Sequence, residues 1–282
     1  MGIGIVLALA AAVGYGASDF VGGLTARRVS PWAVSLVGQL AGGLAMLVAG
    51  AVLPSRARPA DFGWAVMAGL GSAAGTVFLY RGLARSRMGV VAPVSGVGAA
   101  LVPVVVGVSL GERLGALAWV GVVVALPGIY FVSREIADGT CRSGRGIADG
   151  ALAGLGFGVL FVALAQVGES AGVLPLAANQ GVGALSTLIV AGLSRQPWVP
   201  RDRAGRRALG GGAVGGLLGA TGTAAFLLAS RRSDLAEVGV LSSLYPAVTV
   251  LLAATVLRER FRLSQGLGVL VCGASVGLMA MG

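Results

Sequence analysis

The sequence predicts an all-α integral membrane protein of ten transmembrane helices, arranged as two inverted five-helix repeats. Three observations predict it. The 282 residues are 56% hydrophobic and only 11% charged, with a mean hydropathy of +0.90. A soluble domain carries roughly a quarter charged residues, so this chain has too little polar surface to cover a globule in water. Apolar stretches of about 20 residues, the length that crosses a bilayer, recur along the whole chain. The second half also repeats the first.

The spans fall near 3–25, 31–53, 62–83, 88–110, 115–133, 147–168, 173–194, 208–230, 235–257 and 263–281. The first has no charged leader and runs too long for a secretory signal, so it reads as a retained span. Connections are short except for the polar, Arg-containing segments 134–146 and 195–207. The 49 glycines suit membrane helices, where small residues let backbones approach closely. They form ladders such as Gly38/Gly42, Gly71/Gly75, Gly150/Gly154/Gly158 and Gly211/Gly215/Gly219. These ladders read as compact packing or as a sliding seam for conformational change.

A shift of 147 residues lays 69–132 over 216–279, with sixteen of the 64 positions identical. Apolar matches come cheaply in such a sequence, so the polar ones carry the weight. Gly75-Thr76 falls on Gly222-Thr223, Arg85-Ser86 on Arg232-Ser233, and Glu112-Arg113 on Glu259-Arg260. Gly14-Tyr15-Gly16 is echoed by Gly156-Phe157-Gly158. The repeats are therefore expected at 1–138 and 139–282. Five spans is an odd number, so the second repeat enters the membrane from the opposite side, an architecture characteristic of secondary transporters.

Charge and cysteine usage exclude several classes. The net charge of +10 comes entirely from arginine, with neither lysine nor histidine present. In a chain this apolar it fits loop arginines that meet anionic lipid, not a nucleic-acid surface. No P-loop exists, and there is no lysine to complete one. Cys141 lies in a polar loop and Cys272 in the last span, without metal or redox spacing. No cofactor or metal is expected.

Three groups of residues resemble the ten-helix EamA-type permeases of the drug/metabolite transporter superfamily. Tyr15-Gly16-Ala17-Ser18-Asp19-Phe20 is similar to that family's first-helix pattern, with Tyr for the usual Trp and Asp where a neutral polar residue is common. Gly111-Glu112-Arg113-Leu114 closes helix 4 and is echoed by Arg258-Glu259-Arg260-Phe261 closing helix 9. Leu244-Tyr245-Pro246 lies inside helix 9. The resemblance spans essentially the whole chain. It implies export or exchange of small metabolites through a central cavity between the halves.

Polar groups inside the spans are the candidate site. Asp19 is the one acid well inside a predicted span, about 12 Å from Arg27 along the helix axis. It could pair with Arg81, be a neutral structural acid, or carry a coupling proton or a cationic substrate group. Gln39 is expected at similar depth. Asn179 and Gln180 begin helix 7, as interhelical glue or as site residues. Tyr15, Tyr80 and Tyr245 offer an apolar face with a polar tip, suited to an amphipathic ligand or to packing. Ser95, its repeat partner Ser242, and Ser243 complete the candidate cavity set. Pro93, Pro103 and Pro246 are expected to interrupt helices 4 and 9, as broken spans at a transport site or as fixed kinks.

Orientation is in conflict. Most arginines lie in loops 1–2, 3–4, 5–6, 7–8 and 9–10, which places both termini outside by the positive-inside rule. The family resemblance implies termini inside. The leading functional expectation is a non-enzymatic, multi-pass secondary transporter of the cell membrane. It would export small organic metabolites or drugs by alternating access and meet membrane lipids as its other partner. An intramembrane lipid-handling enzyme and a structural subunit are the alternatives. Substrate, coupling ion and oligomeric state are not written in the sequence.

Overall fold

The computed structural model describes residues 3–86, 88–109, 115–133, 143–200, 202–232, 242, 244–258 and 263–281. Ten α-helices are described. They are α1 (Ile3–Ala26), α2 (Pro31–Val52), α3 (Pro59–Arg85), α4 (Met88–Ser109), α5 (Ala116–Ser133), α6 (Ser143–Ala165), α7 (Leu174–Leu193), α8 (Arg203–Ser230), α9 (Tyr245–Val256) and α10 (Leu263–Met281). Six of them, α1, α2, α3, α6, α7 and α8, are long and apolar enough to cross a membrane. The described residues contain no strand. Glu112, Arg113, Cys141, Ser233, Ser243, Glu259 and Arg260 lie outside them.

Helix starts follow local chemistry. Pro31, Pro59 and Pro175 occupy first turns, where a missing N–H is no loss. The α3, α6 and α8 helices begin earlier than the apolar pattern suggests, because their first turns are polar. At α3, Asp61 Oδ2 accepts the Arg58 N–H at 2.7 Å, and at α8 Asp202 accepts from the Gly205 N–H at 3.2 Å. These carboxylates satisfy donors that a helix N-terminus leaves free.

Packing pairs helices across the two halves. The α1 helix lies along α8, and α6 lies along α3 in the same way. Likewise α2 packs on α8 while α7 packs on α3, and α1 meets α9 while α6 meets α4. Three further pairs, α2 with α7, α4 with α9 and α5 with α10, join equivalent helices. Exchanging the first five helices with the last five thus leaves this set of contacts unchanged.

Glycine makes the closest crossings possible. A Cβ at Gly14 would sit 3.0 Å from Gly222 Cα and 3.1 Å from the Leu218 carbonyl. At the matching α6/α3 crossing, a Cβ at Gly156 would sit 2.5 Å from Gly75 N and 2.8 Å from the Gly71 carbonyl. The obstacles are backbone atoms, which cannot rotate away, so only Gly permits this approach. Between lipid-embedded helices such contact is the main attraction, because burying apolar area gains little there.

The two prolines of α4 differ from expectation, and Pro246 does not. The α4 helix runs through Pro93 and Pro103 without interruption. Pro246 stands at an interruption: Ser242 is helical, Leu244 forms a turn, and α9 begins at Tyr245 with Pro246 in its first turn. There its ring fills the space over Gly96 of α4, where a Cβ would lie 2.6 Å from Pro246 Cγ.

Candidate functional site

The site is a cavity of about 80 Å³ between the halves, walled by α1, α2, α3, α6, α7, α8 and Tyr245 of α9. Five of the candidate residues meet there: Tyr15, Asp19, Gln39, Tyr80 and Tyr245. Ser95 and Ser242 are buried but do not form its wall. Ser95 sits behind Tyr245, facing the phenol without a hydrogen bond of normal geometry. Ser243 lies outside the described residues.

Asp19 dominates the electrostatics. It is 7% exposed, it is the only formally charged side chain among the described residues of the wall, and its Oδ2 has no hydrogen-bond partner. The Arg81 partnership weighed from the sequence is not made. Arg81 instead pairs with Asp149 of α6, its Nε donating to Oδ1 at 2.9 Å, while its guanidinium lies 4.7 Å above the Phe78 ring. The helix periodicity turns Arg81 one residue past the cavity-facing Tyr80, toward α6. Sequence reading missed Asp149 as a buried acid because it stands at the very start of the span expected at 147–168, whereas α6 begins at Ser143 and carries it further into the helix.

Three tyrosines surround Asp19 at electrostatic range. The Tyr80 ring lies over Gly22, and its hydroxyl faces Ser18. Tyr15 donates to Thr223 Oγ1 at 3.2 Å and meets Tyr245 edge-on, with ring centroids 6.4 Å apart. The Tyr245 hydroxyl is buried without a partner. Its backbone carbonyl and that of Gly16 both lie within hydrogen-bond range of Thr249, which ties α9 to α1.

A polar seam joins α2 to α3. The Ser35 and Thr76 hydroxyls are 2.6 Å apart, and the Gln39 amide donates to Ser35 at 3.1 Å and Thr76 at 3.0 Å. This leaves Gln39 Oε1 buried and unpartnered, like Asn179 Oδ1 on α7. The sequence carried a signal for Thr76 and Thr223, because both stand in the repeated Gly-Thr pair. Ser35 and Ser72 carried none, since a serine on a Gly-rich helix usually only packs.

The wall is built from repeat-related pairs. Thr76 of α3 answers Thr223 of α8, and Tyr15 of α1 answers Phe157 of α6. On α2 and α7, Gln39 answers Gln180, and their seats are reciprocal. A Cβ at Gly183 would collide with the Gln39 amide, and one at Gly42 would lie 2.5 Å from Gln180 Nε2.

Contacts between the halves close both ends of the α3/α6 pair. The Arg81–Asp149 ion pair closes one. At the other, Gly168 N donates to Asp61 Oδ1 at 2.8 Å, Arg56 N to the Ser170 carbonyl at 2.9 Å, and Ser55 Oγ to the Ala171 carbonyl at 2.8 Å. Gly172, with φ of 67°, turns the chain beneath Pro54, whose carbonyl would be 2.8 Å from a Cβ there.

This is a multi-pass membrane protein whose halves enclose one polar, aromatic-walled cavity. A model of the EamA-like transporter family matches residues 2–134 and again 144–281, and the chain belongs to that family. One protein of known crystal structure aligns over 95% of this chain and 95% of its own, with a TM-score of 0.61 and 17% identity, which shows the fold alone. No curated protein matches the chain.

Proposed function

We propose that the protein is a secondary transporter that exports small organic molecules across the cell membrane by alternating access to the central cavity. The observation that carries this reading is the cavity wall itself. It is assembled from equivalent residues of both halves around a buried, unpartnered carboxylate. An intramembrane carboxylate facing a cavity marks a substrate or proton pathway.

The inverted architecture, with ten spans in repeats 1–138 and 139–282, is part of the proposal. The exchangeable packing of α1–α5 and α6–α10 supports it. So does the contact of segment 53–58 with 166–172, because inversion puts the second and sixth loops on one side. Rocking of one half against the other would open each end in turn. Asp19 is the residue assigned to bind the coupling proton or the substrate, with Tyr15, Tyr80, Tyr245 and Gln39 around it. Ser95 and Ser242, buried outside the wall, are assigned to its supporting layer.

A lipid-handling enzyme would need an acid–base pair or a nucleophile with its base. The described wall offers one carboxylate without a second acid or a base beside it. The test is flux into proteoliposomes from a panel of organic cations, zwitterions, acids and neutral solutes. Saturable, protein-dependent flux of at least one class is expected, with loss of its response to a pH gradient in Asp19→Asn. Absence of protein-dependent flux for every class, from monodisperse protein, would overturn the proposal.

A further inference from the structure

The two sides of the cavity are equivalent in position and opposite in chemistry. A shift of 142 residues superposes Tyr15, Ser18 and Asp19 of α1 on Phe157, Leu160 and Phe161 of α6, and all six line the wall. One half presents a phenol, a hydroxyl and a carboxylate. The other presents two phenyl rings and an isobutyl group at the matching sites. A wall so divided fits a molecule with one polar and one apolar end.

The polar end is specified by what is left unpaired. Asp19 Oδ2, Gln39 Oε1 and Asn179 Oδ1 are all acceptors, each on a residue at least nine-tenths buried, and none has a donor. The Tyr245 hydroxyl is the fourth free group. Buried acceptors in this number call for N–H donors from the occupant. No cationic side chain lines the described wall, so no charge balances Asp19 from within, and none there would balance a substrate carboxylate. Tyr15, Tyr80 and Tyr245 add ring faces and phenol oxygens that favour a cation.

We infer that the substrate is a small amphiphilic amine. Its ammonium N–H groups are held by Asp19, Gln39 and Asn179, and its apolar body lies against Phe157, Leu160 and Phe161. This rests on the transport reading above and deepens it.

The test is calorimetric binding to the purified full-length protein. Phenethylamine is compared with 2-phenylethanol, phenylalanine and trimethylphenethylammonium. These replace the ammonium with a hydroxyl, add a carboxylate and remove the N–H donors. The amine is expected to bind at least about tenfold more tightly than each of the three, a difference large enough to separate recognition from partition. Asp19→Asn is expected to weaken the amine about tenfold or more, and to weaken 2-phenylethanol by a smaller factor. The wild-type comparison needs no variant, so it stands even if Asp19→Asn fails to fold.

Equal or tighter binding of phenylalanine or 2-phenylethanol overturns the amine assignment. Equal binding of the trimethyl compound overturns the assignment of Gln39 and Asn179 as N–H acceptors. Protein-dependent flux of an acid or zwitterion alongside these results would leave the transport reading intact. Absence of flux for every class would sink both together.

Discussion

At the residue scale, two kinds of position bear the most weight: glycines at helix crossings and acids inside the bundle. Gly156 meets backbone of α3, so Gly156→Leu must push α6 and α3 apart, and overpacking of this kind costs roughly 1–3 kcal/mol. Gly210 is exposed, with nothing within 4 Å of an added Cβ, so Gly210→Ala is expected to leave stability within about 1 kcal/mol of wild type. Thermal melting in detergent separates the two. Asp149 gives a second test, because its side chain is 4% exposed while Arg81 keeps 30%. Arg81→Leu strands a buried carboxylate, at a cost of about 3–5 kcal/mol, whereas Arg81→Leu with Asp149→Leu removes both charges and is expected to recover much of the loss. A double variant no more stable than the single one would contradict the ion pair as read. Asp19 belongs with these acids, yet it is left without a partner where Asp149 has one. That contrast is what supports the proposed division, with Asp149 structural and Asp19 functional.

At the element scale, six spans were legible because apolar length and lipid thickness fix them together, as with 31–53 against Pro31–Val52. Their starts were less legible. The first turns of α3 and α8 are polar, and a polar turn outside the apolar window reads as loop until Asp61 and Asp202 are seen as caps. The sequence placed Tyr15, Asp19, Gln39, Tyr80 and Tyr245 as candidates, and they share one wall because each stands on a helix face turned to the centre. It did not resolve Asp19 from Arg81. Arg81 lies near the end of α3 on the side toward which Asp19 stands in α1, and only the rotation of α3 decides that Tyr80 turns inward and Arg81 toward α6. Pro93 and Pro103 were misread, because α4 continues through both, whereas Pro246 does mark an interruption, between helical Ser242 and the start of α9 at Tyr245.

At the scale of the whole molecule, two five-helix units grip each other through exchangeable contacts, and the cavity lies where their equivalent faces meet. Interactions between the halves hold both ends of the α3/α6 pair, and the proposed alternating access requires one end to release at a time. Segments 53–58 and 166–172 belong to different halves and touch directly, Arg56 N donating to the Ser170 carbonyl at 2.9 Å with both residues exposed. A disulfide between them would hold that end shut. The measurement is flux through proteoliposomes containing Arg56→Cys with Ser170→Cys, in a background where Cys141 and Cys272 are replaced by serine and alanine. Alternating access through the central cavity predicts that oxidation stops flux and that reduction restores it, while the single-cysteine proteins respond to neither. Undiminished flux with the cross-link fully formed would contradict it, because the halves would then have no need to part at that face.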